Sequence, residues 1–572
     1  MASVTSLPPL EAPSNGDRKR AFNGAQGGVR GQRQQKKMRK AKSKPVKEGS
    51  AEQVLMADLR AMLAAQKLED HPDGDEVEGN AEEEEELPEP GTEIDVVVQK
   101  LSSTGDGLAQ QPGRRQIYVV PFAVPGDTVR IKVFRHLPQD NHSIGDFISV
   151  TKPGPLRDDS RIFCQYFSKC SGCQFQMLSY ADQLAHKRTI VSRAYQTFSQ
   201  LAPELVPAIG ETMGSPLQSG YRTKLTPHFD GPPGSIFKKR GTREKKFLEQ
   251  VPEIGFMKKG SGRTIDIEDC PIGTDAVRKG MARERARMRD EYGKYERGAT
   301  ILLRENTTRV PKGEALPDPF PKDAVSVETE RFTDVKTCIT DNNATSTEYI
   351  EDFIFTNPAG SFFQNNNSIL PSFTDYIRQH ILPPPSEGAK PIKTLIDAYS
   401  GSGLFTITLS SLFSGGSIGI DIAEKSINFA RTNAKLNNLP EEQCKFIAAD
   451  APELFKSVKA FDADETVVVL DPPRKGCDAS FLRQLLAFGP RRVVYVSCNV
   501  HTQARDVGVL VRGEVSSMQG GESVAKQEGD ESGEEKSKVK TRYEIESIRG
   551  FDFFPQTGHV EGVAVLNRVV EA

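Results

Sequence analysis

The chain has 572 residues, which is more than one domain usually contains and predicts several folded units. Its 75 basic side chains nearly balance 78 acidic ones, and this total gives no sign of a nucleic-acid partner. No apolar run approaches the roughly 20 residues of a membrane span, and eight cysteines without a secretory signal argue against a secreted disulfide scaffold. We therefore expect an intracellular protein without a membrane segment.

Residues 1–91 have the composition of a disordered, charged tail. Twelve basic residues lie between Arg18 and Lys47, and acidic residues cluster from Glu69 to Glu89. Like charges repel one another, and such segments bury too little apolar surface to offset the loss of chain entropy. The basic block is typical either of a solvating tail or of a segment that directs a protein to the nucleus or tethers it to RNA.

A second low-complexity segment, residues 512–541, is rich in Gly, Ser, Glu and Lys and interrupts a pattern of strands and helices. We interpret it as a disordered insertion in a surface loop. Residues 1–90 contain 14 basic and 17 acidic side chains and the insertion contains 5 and 7, which leaves 56 basic and 54 acidic ones elsewhere. The predicted folded part is therefore slightly basic, and its charge is compatible with an RNA partner.

Residues 92–153 read as short strands separated by turns that contain Gly or Pro. The segments EIDVVVQKL, QIYVVPFAV, TVRIKVFR and GDFISV have the alternating apolar residues of strands. About five short strands in such a length predict a small OB-type β-barrel, and barrels of this type commonly bind oligonucleotides. The pattern alone leaves a purely structural barrel equally open.

Residues 154–355 mix strands, helices and turns, which predicts a central α+β domain. Three cationic runs fall in this region, at 238–246, 258–263 and 278–289. Each run alone is typical of a solvated face, but three runs close together favour a surface that faces RNA phosphates.

Four cysteines in the central domain have the spacing of metal ligands. Cys164, Cys170 and Cys173 lie within ten residues, and Cys270 follows later in the chain. Coordination by thiolates alone suits an iron–sulfur cluster or zinc. Free thiols in a site that has lost its metal are the third interpretation.

From residue 356 to residue 572 the pattern changes to alternating strands and helices. The strand-like segments are TLIDAYS, GSIGID, CKFIAAD, ETVVVLDPP and RRVVYVSCN. This alternation predicts a Rossmann-like, doubly wound parallel sheet, in which ligands bind beyond the carboxyl ends of the strands. The residues at those ends are therefore the candidates for a functional site.

The first strand ends in Asp397-Ala-Tyr-Ser-Gly-Ser-Gly403, whose glycines allow close approach to a ligand. Asp421 ends the next strand, where a carboxylate can accept hydrogen bonds from ribose hydroxyls. Leu404 and Phe405 follow Gly403, so the pyrophosphate-binding GxGxxG pattern is absent and S-adenosylmethionine is favoured over NAD. Asp450 ends the third strand and is either near the adenine or a helix cap.

Three further residues suggest chemistry at the strand ends. Asp471 precedes two prolines, which make a rigid loop that presents the carboxylate to a ligand. Cys498 ends the fifth strand, and a cysteine at this edge is a plausible nucleophile, although a buried structural cysteine is the usual case. Glu561 follows a turn near the C-terminus and is a candidate general base.

The motifs DAYSGSG, VLDPPRKG, YVSCN and FPQTGHVE, in this order, resemble those of the RNA uracil-C5-methyltransferase family. The segment FFQNN around Gln364 is similar to a cofactor-binding segment of that family, and residues 92–153 resemble its TRAM domain. The resemblance implies methylation of uracil C5 by S-adenosylmethionine, most closely as in the fungal members that make 5-methyluridine at position 54 of tRNA. Cys498 would add to uracil C6, and Glu561 would remove the C5 proton. The implied cofactor-binding residues are Gln364, Tyr399, Asp421 and Asp471.

Several alternatives remain open at this stage. The four cysteines resemble the ligands of a 4Fe–4S cluster in a branch of the family that includes ribosomal-RNA enzymes. A 5-methylcytosine RNA methyltransferase usually has a cysteine directly after the proline of the fourth-strand motif, whereas Arg474 follows Pro473 here. A non-catalytic RNA-binding or chaperone protein is the third alternative. We expect a monomer that binds RNA, with tRNA as the favoured substrate, in the nucleus or cytoplasm, with the mitochondrion as a further option.

Overall fold

A computed structural model describes residues 46–70, 86–232, 246–384, 388, 390–450, 455, 458, 461–515 and 541–569. The predicted basic tail before residue 46, most of the acidic cluster and the inserted residues 516–540 lie outside the described residues. Within the described part, no helix is both long enough and apolar enough to cross a membrane.

Helix α1 (Ala51–Asp70) lies inside the stretch that was predicted to be disordered, so this prediction was wrong for residues 51–70. The charged segments on both sides obscured an amphipathic pattern, in which Val54, Leu59 and Met62 are buried. Leu59 and Met62 pack in one cluster with apolar residues of the following barrel. The helix is therefore stabilised by tertiary contacts and not by its own propensity.

The predicted five-stranded barrel is confirmed. Its strands are β1 (Glu93–Leu101), β2 (Gly107–Gln110), β3 (Ile117–Val120), β4 (Thr128–Leu137) and β5 (His142–Lys152), which close in the order β1-β2-β3-β5-β4. Alternate residues such as Val96, Val98, Val129 and Ile131 fill the interior. The buried carboxylate of Asp127 accepts hydrogen bonds from the backbone N–H of Val124, in the β3–β4 connection, and from that of Gly154, in the segment that leaves the barrel.

The central region contains three small sheets. Its elements are α2 (Tyr180–Phe198), β6 (Gly210–Met213), β7 (Lys224–Leu225), β8 (His228–Phe229), β9 (Gly255–Met257), β10 (Thr264–Asp266), α3 (Asp275–Glu291), β11 (Ala299–Thr300), β12 (Leu303–Pro311), β13 (Val325–Glu328), β14 (Phe332–Ile339), β15 (Thr345–Ile350) and β16 (Phe353–Pro358). The sheets have the orders β10-β9-β8-β11, β13-β14-β12-β7 and β15-β16.

The cationic run at 278–289 lies on α3 and is largely neutralised by nearby acids. Arg278 pairs with Asp269 at 2.6 Å, and Arg285 pairs with Asp266 at 2.7 Å. Arg287 contacts two glutamates on its own helix. These partners weaken the expectation that this run faces RNA phosphates, while most of the run at 238–246 lies outside the described residues.

The C-terminal region forms the doubly wound sheet that the sequence predicts. Its elements are α4 (Leu370–His380), β17 (Thr394–Ala398), α5 (Leu404–Thr408), β18 (Ser417–Asp421), α6 (Glu424–Leu436), β19 (Cys444–Ala448), β20 (Thr466–Leu470), α7 (Ala479–Phe488), β21 (Arg492–Ser497), α8 (Val500–Arg512), β22 (Tyr543–Phe551) and β23 (Glu561–Arg568). The strand order is β19-β18-β17-β20-β21-β23-β22-β6. Strands β17 to β21 are parallel, and β23 runs antiparallel to β21.

Two elements of the central region belong structurally to this large sheet. Strand β6 pairs with β22 at the sheet edge, and Ile190 and Val191 of α2 share a core with Val507 and Leu510 of α8. The division of the sequence at residue 355 therefore does not follow the boundary of the sheet. The contacts of α2 also bring it close to the C-terminal motif, as described below.

Candidate active site

A cavity of about 1220 Å³ lies at the carboxyl ends of strands β17, β18, β20 and β21. All six residues that we assigned to catalysis and cofactor binding line it: Gln364, Tyr399, Asp421, Asp471, Cys498 and Glu561. Asp450, for which the sequence left a place near the adenine and a helix-cap role open, also lines it. The sheet topology thus brings together residues that are separated by almost 200 positions in the chain.

The turn after β17 contains several residues with positive φ, among them Tyr399. Tyr399 has a φ of +66°, and its ring packs against Phe481 with a centroid distance of 5.3 Å. Gly403 has a φ of +92° and no room for a side chain, because an added Cβ would lie 2.9 Å from Phe446. A tyrosine fixed in this way forms a firm wall of the cavity.

The Asp421 carboxylate is held by two backbone donors. Its Oδ1 accepts a hydrogen bond of 2.7 Å from Ala423, and its Oδ2 accepts one of 3.1 Å from Gly401. Each oxygen keeps a second lone pair for a ligand. This arrangement can bind a pair of vicinal hydroxyls.

Two exposed apolar side chains that we did not predict as site residues flank the cavity. Phe362 and Ile422 are each 75% exposed, although such side chains are usually buried. Phe362 lies two residues before Gln364, which is 8% exposed. Large apolar groups at the mouth of a cavity are suited to contact the faces of a planar ring.

Two carboxyl groups near the strand ends have raised pKa values. Burial, and then the proximity of Asp397, raises the pKa of Asp471 to about 7. Burial likewise raises the pKa of Asp397 to about 7. The hydrogen bonds that its Oδ2 accepts from the backbone N–H and the hydroxyl of Thr406 lower this pKa and so limit the rise. Among the described residues, Asp397 Oδ1 has no hydrogen-bond partner. A positively charged ligand would stabilise both groups in their ionised forms.

The pairing of β21 with β23 places the nucleophile candidate beside the base candidate. Ser497 is opposite Gly562, so Cys498 and Glu561 are the next residues at that end of the two strands. Burial, and then the charges of Glu561 and Asp471, raises the pKa of Cys498 to about 12. Burial and Asp471 also raise the pKa of Glu561 well above its ordinary value. Burial therefore favours the protonated form of both groups.

Arg474 opposes these shifts. Its guanidinium lowers the pKa of Cys498 through charge and a hydrogen bond, and it lowers the pKa of Glu561 through charge. Arg474 lies within the motif VLDPPRKG, but the sequence alone assigned it no role. Its position next to the two prolines was the signal that would have identified it as a site residue.

The loop before Glu561 is held by a buried ion pair. The Lys187 ammonium donates to Asp552 Oδ1 at 2.6 Å, to the carbonyl of Phe554 at 3.0 Å and to the carbonyl of His559 at 2.6 Å. The side chains of Lys187 and Asp552 are both fully buried. Nothing in the sequence around Lys187 indicates this role, because its partner is 365 residues away.

The four clustered cysteines line a second cavity of about 320 Å³. This cavity also touches Arg474, which lines the first one. Burial is the main cause that raises the pKa of all four thiols: Cys164, Cys170, Cys173 and Cys270. In the part of the chain that the structure describes, no three His, Cys, Asp or Glu side chains form a set placed around one metal ion.

Known proteins match this chain over most of its length. The model of the family described as tRNA (Uracil-5-)-methyltransferase matches residues 330–514. A Schizosaccharomyces pombe protein named tRNA (uracil(54)-C(5))-methyltransferase is 40% identical over 535 residues, which cover 93% of this chain and 86% of that protein. A Saccharomyces cerevisiae protein of the same name is 39% identical over 506 residues, which cover 83% and 73%. The crystal structure of Pyrococcus abyssi tRNA (uracil-54, C5)-methyltransferase in complex with S-adenosyl-L-homocysteine matches with a TM-score of 0.53 and 25% identity, over 83% of this chain and 100% of that one.

Proposed function

Because the chain belongs to the tRNA (uracil-5-)-methyltransferase family, we propose that it methylates C5 of uridine 54 in the T-loop of tRNA. The methyl donor is S-adenosylmethionine, and the archaeal structural relative is bound to the demethylated product of this donor. The observation that carries the proposal is the single cavity lined by Cys498, Glu561 and the four predicted cofactor residues. Two fungal relatives bear the name of this activity.

The lining of the cavity fits S-adenosylmethionine, which supplies an electrophilic methyl group on a positively charged sulfur. Asp421 would hold the ribose hydroxyls, because both of its oxygens are fixed by backbone donors and face the cavity. Phe362 and Ile422 are placed at the mouth to cover the adenine. Asp471, with Asp397 behind it, offers negative charge for the cationic end of the donor. Gln364 and Tyr399 complete the walls.

Uracil C5 is a poor nucleophile, and Cys498 is the group that activates it. Once its thiol has lost the proton, Cys498 adds to C6 and creates an enolate with electron density on C5. Arg474 assists because its positive charge favours the thiolate. C5 would then form a bond to the methyl group of the bound donor, which leaves as S-adenosylhomocysteine. Glu561 in its ionised form removes the C5 proton, and elimination of the Cys498 thiolate restores the C5–C6 double bond.

The target base must leave its stack to reach this buried pair. Glu561 is 2% exposed, so a base within a helix cannot approach it. Extrusion of a base costs a few kcal/mol and is easiest for a nucleotide in a loop. A loop uridine of tRNA meets this requirement.

The proposed function is tested by nucleoside mass spectrometry of tRNA and rRNA from cells with and without the gene. Loss of 5-methyluridine from tRNA alone is the expected result. Loss of 5-methyluridine from rRNA would contradict the proposal and favour a ribosomal-RNA 5-methyluridine methyltransferase. Loss of 5-methylcytidine would favour an RNA 5-methylcytosine methyltransferase. Unchanged nucleosides in both RNAs would favour a non-catalytic RNA-binding protein.

Two substitutions separate the roles of the catalytic pair. With purified protein and tRNA that contains 5-fluorouridine, Cys498→Ala abolishes both methyl transfer and the covalent adduct, while tRNA binding persists. With unmodified tRNA, whose uridine carries a C5 proton, Glu561→Gln allows methylation but traps the adduct, because that proton is not removed. Normal turnover by either variant would remove that residue from its role.

The four-cysteine cavity supports a further proposal, a 4Fe–4S cluster held by Cys164, Cys170, Cys173 and Cys270. All four thiols line one cavity of about 320 Å³. The charges of the other three thiols add to burial in raising the pKa of Cys173, so the four groups lie near one another. Coordination by thiolates alone suits a 4Fe–4S cluster, as the family resemblance implies.

Anaerobic purification followed by iron and sulfide analysis tests this site. We expect a brown protein with about four iron atoms per chain, and Cys270→Ser should lower the iron content. The matched control is Cys338→Ser, because Cys338 is also partly buried but lies outside the cavity. A colourless protein that contains zinc, or one without metal, would overturn the assignment.

We also propose that the protein acts as a monomer in the nucleus or the cytoplasm. The basic residues between Arg18 and Lys47 support nuclear entry. Light scattering on the purified protein tests the monomer, and fluorescence microscopy of the tagged full chain tests the compartment. A mitochondrial signal would contradict the second proposal.

A further inference from the structure

Residues 46–70 are here called the N-terminal arm. They contact helix α8 and its N-cap Asn499, which is the residue after Cys498. The Gly49 carbonyl accepts a hydrogen bond of 3.0 Å from Asn499 Nδ2, and Glu48 pairs with Arg505 at 2.8 Å. Gly49 has a φ of +67°, and a Cβ added there would overlap the side chain of Thr502. The fit at Gly49 is therefore close, and the position does not tolerate a larger residue.

The other end of the N-terminal arm is fixed to the barrel. The Asp58 carboxylate accepts hydrogen bonds from the backbone N–H and the hydroxyl of Ser103, and it lies 3.7 Å from Arg193. Asp58 is 9% exposed, and Leu59 and Met62 are buried against barrel residues. A buried carboxylate with several specific partners fixes the register of this contact.

Between its two anchors, the N-terminal arm forms one wall of a cavity of about 210 Å³ that reaches the nucleophile. The cavity is lined by Gly49, Ala51 and Val54 of the arm, by Ser103 and Thr104 of the barrel, and by Cys498. It shares Cys498 and Arg474 with the cofactor cavity but is lined by none of the four proposed cofactor residues. Asn499 connects the walls, since its Nδ2 also donates to the carbonyl of Arg474 at 2.9 Å.

The chemistry of this cavity suits an unpaired nucleotide. Its volume is below the range of about 300–1,000 Å³ that is usual for drug-sized ligands, so it has room for a small planar group and none for a duplex. Ser103 and Thr104 line it together with the apolar Val54. The Ser103 hydroxyl donates to Asp58, so it can still accept a hydrogen bond from a base edge, while an apolar side chain can contact a base face. His501 also lines it, is 8% exposed and has an Nε2 without a hydrogen-bond partner among the described residues.

The charge of the neighbouring sequence is complementary to RNA. The sequence from Lys36 to Lys47, KKMRKAKSKPVK, ends immediately before Glu48, which is anchored on α8. Clustered lysines and arginines attract the phosphates of a nucleic acid. The N-terminal arm thus connects a basic sequence to the cavity at Cys498.

We propose that the N-terminal arm is a substrate-positioning element, and that its cavity holds the unpaired nucleotide next to the target uridine. The proposal rests on the proposed function, because it requires an RNA strand whose target base contacts Cys498. The strand must continue past that base, and the cavity walled by Gly49, Ala51 and Val54 adjoins Cys498 on a side without the proposed cofactor residues. The arm then acts through the position of the RNA and not on the methyl donor.

The variant Gly49→Ala tests this role, because the added methyl group displaces the arm from Thr502. We expect the KM for tRNA to rise about tenfold. The KM for S-adenosylmethionine should stay within about twofold of the wild-type value, and the thermal midpoint within about 2 °C. Gly313→Ala is the matched control, since Gly313 also has a positive φ, of +92°, but has nothing within 4 Å of an added Cβ. Gly313→Ala should leave both KM values unchanged, and its thermal midpoint measures the strain of a positive φ without a steric clash.

An unchanged KM for tRNA in Gly49→Ala, or an equal rise in the KM for S-adenosylmethionine, would overturn the inference. If the wild-type protein methylates no RNA, the proposed function itself fails, so the two failures are distinguishable. A second measurement does not depend on the folding of Gly49→Ala. With p-benzoylphenylalanine in place of the exposed Ala51, light should crosslink the arm to tRNA that 5-fluorouridine has trapped on Cys498. The same group at Ala64, which is exposed on α1 but does not line the cavity, is the comparison, and equal or absent crosslinking at Ala51 refutes the site.

Discussion

The substitution Lys187→Met removes the charge that holds the loop before Glu561 while keeping a side chain of similar length. It deletes three hydrogen bonds of 2.6 to 3.0 Å and leaves the Asp552 carboxylate buried without its counter-ion. Tyr180 and the backbone of Phe554 still donate to that carboxylate. Removal of one partner from a fully buried pair costs about 3–5 kcal/mol of stability, and we expect a loss in this range.

The same substitution should lower kcat at least tenfold. The carbonyls of Phe554 and His559 are both bound to the Lys187 ammonium, so the turn that leads into Glu561 loses its support on α2. A misplacement of about 1 Å at a catalytic group can reduce a rate by two orders of magnitude. The KM for S-adenosylmethionine should change less, because Asp421 is held by backbone groups on other strands.

The stability loss is measured by denaturant unfolding followed by circular dichroism, since the chain has no tryptophan for fluorescence. Lys312→Met is the control, because Lys312 forms an ion pair with Glu328 on the surface, and it should leave the midpoint unchanged. The double variant with Asp552→Asn should recover part of the loss, since it removes the uncompensated charge. A loss below about 1 kcal/mol together with a normal kcat would show that the pair supports neither the fold nor Glu561.

Three further predictions concern the cavity. First, kcat/KM should rise as the pH increases above neutrality, because the pKa of Cys498 is raised to about 12, that of Glu561 is also raised, and both groups must lose a proton to act; a flat profile measured by methyl transfer would contradict this. Second, the pKa of Asp397 is about 7 in the fold and 3.8 as the ordinary value, so the unfolded state releases this proton first and the folded state loses stability as pH rises. Asp397→Asn should therefore gain about 2–3 kcal/mol relative to the wild type between pH 5 and pH 8 in denaturant unfolding, and an equal pH dependence of both proteins would refute the assignment. Third, Phe362→Ala should raise the KM for S-adenosylmethionine about fivefold, as loss of an aromatic contact of about 1 kcal/mol requires, with the KM for tRNA unchanged in the same kinetic assay.

The sheet and its site residues could be predicted because the relevant signals are local. Strands β18 and β21 are short apolar runs, each with the functional residue at or directly after its end: Asp421 is the last residue of β18, and Cys498 follows β21. The carboxyl ends of parallel strands meet at one edge, so the residues converge without any knowledge of distances. Glu561 was a weaker prediction, since its place depends on the antiparallel pairing of β23 with β21.

The remaining features depend on contacts between distant parts of the chain. Lys187 looks like an ordinary helical lysine until Asp552 is brought against it by the packing of α2 on the large sheet. Helix α1 carries an amphipathic pattern, but its stability comes from the barrel surface that it covers, and its charged neighbours suggested disorder. The local composition around Lys187 does not indicate Asp552, and that around α1 does not indicate the barrel surface.

The acid–base properties of the site explain why its carboxyl groups are buried together. A general base works best when its pKa lies near the working pH, and an ordinary glutamate is too weak a base to take a proton from carbon efficiently. Burial and Asp471 raise the pKa of Glu561, while Arg474 limits the rise. The positive charge of the methyl donor would lower the pKa of Asp471, whereas an ionised Asp471 raises the pKa of Glu561. Arg474 is therefore the group of this chain that favours the ionised Glu561 that the reaction needs, while the free site favours neutral acids, which are less costly to bury.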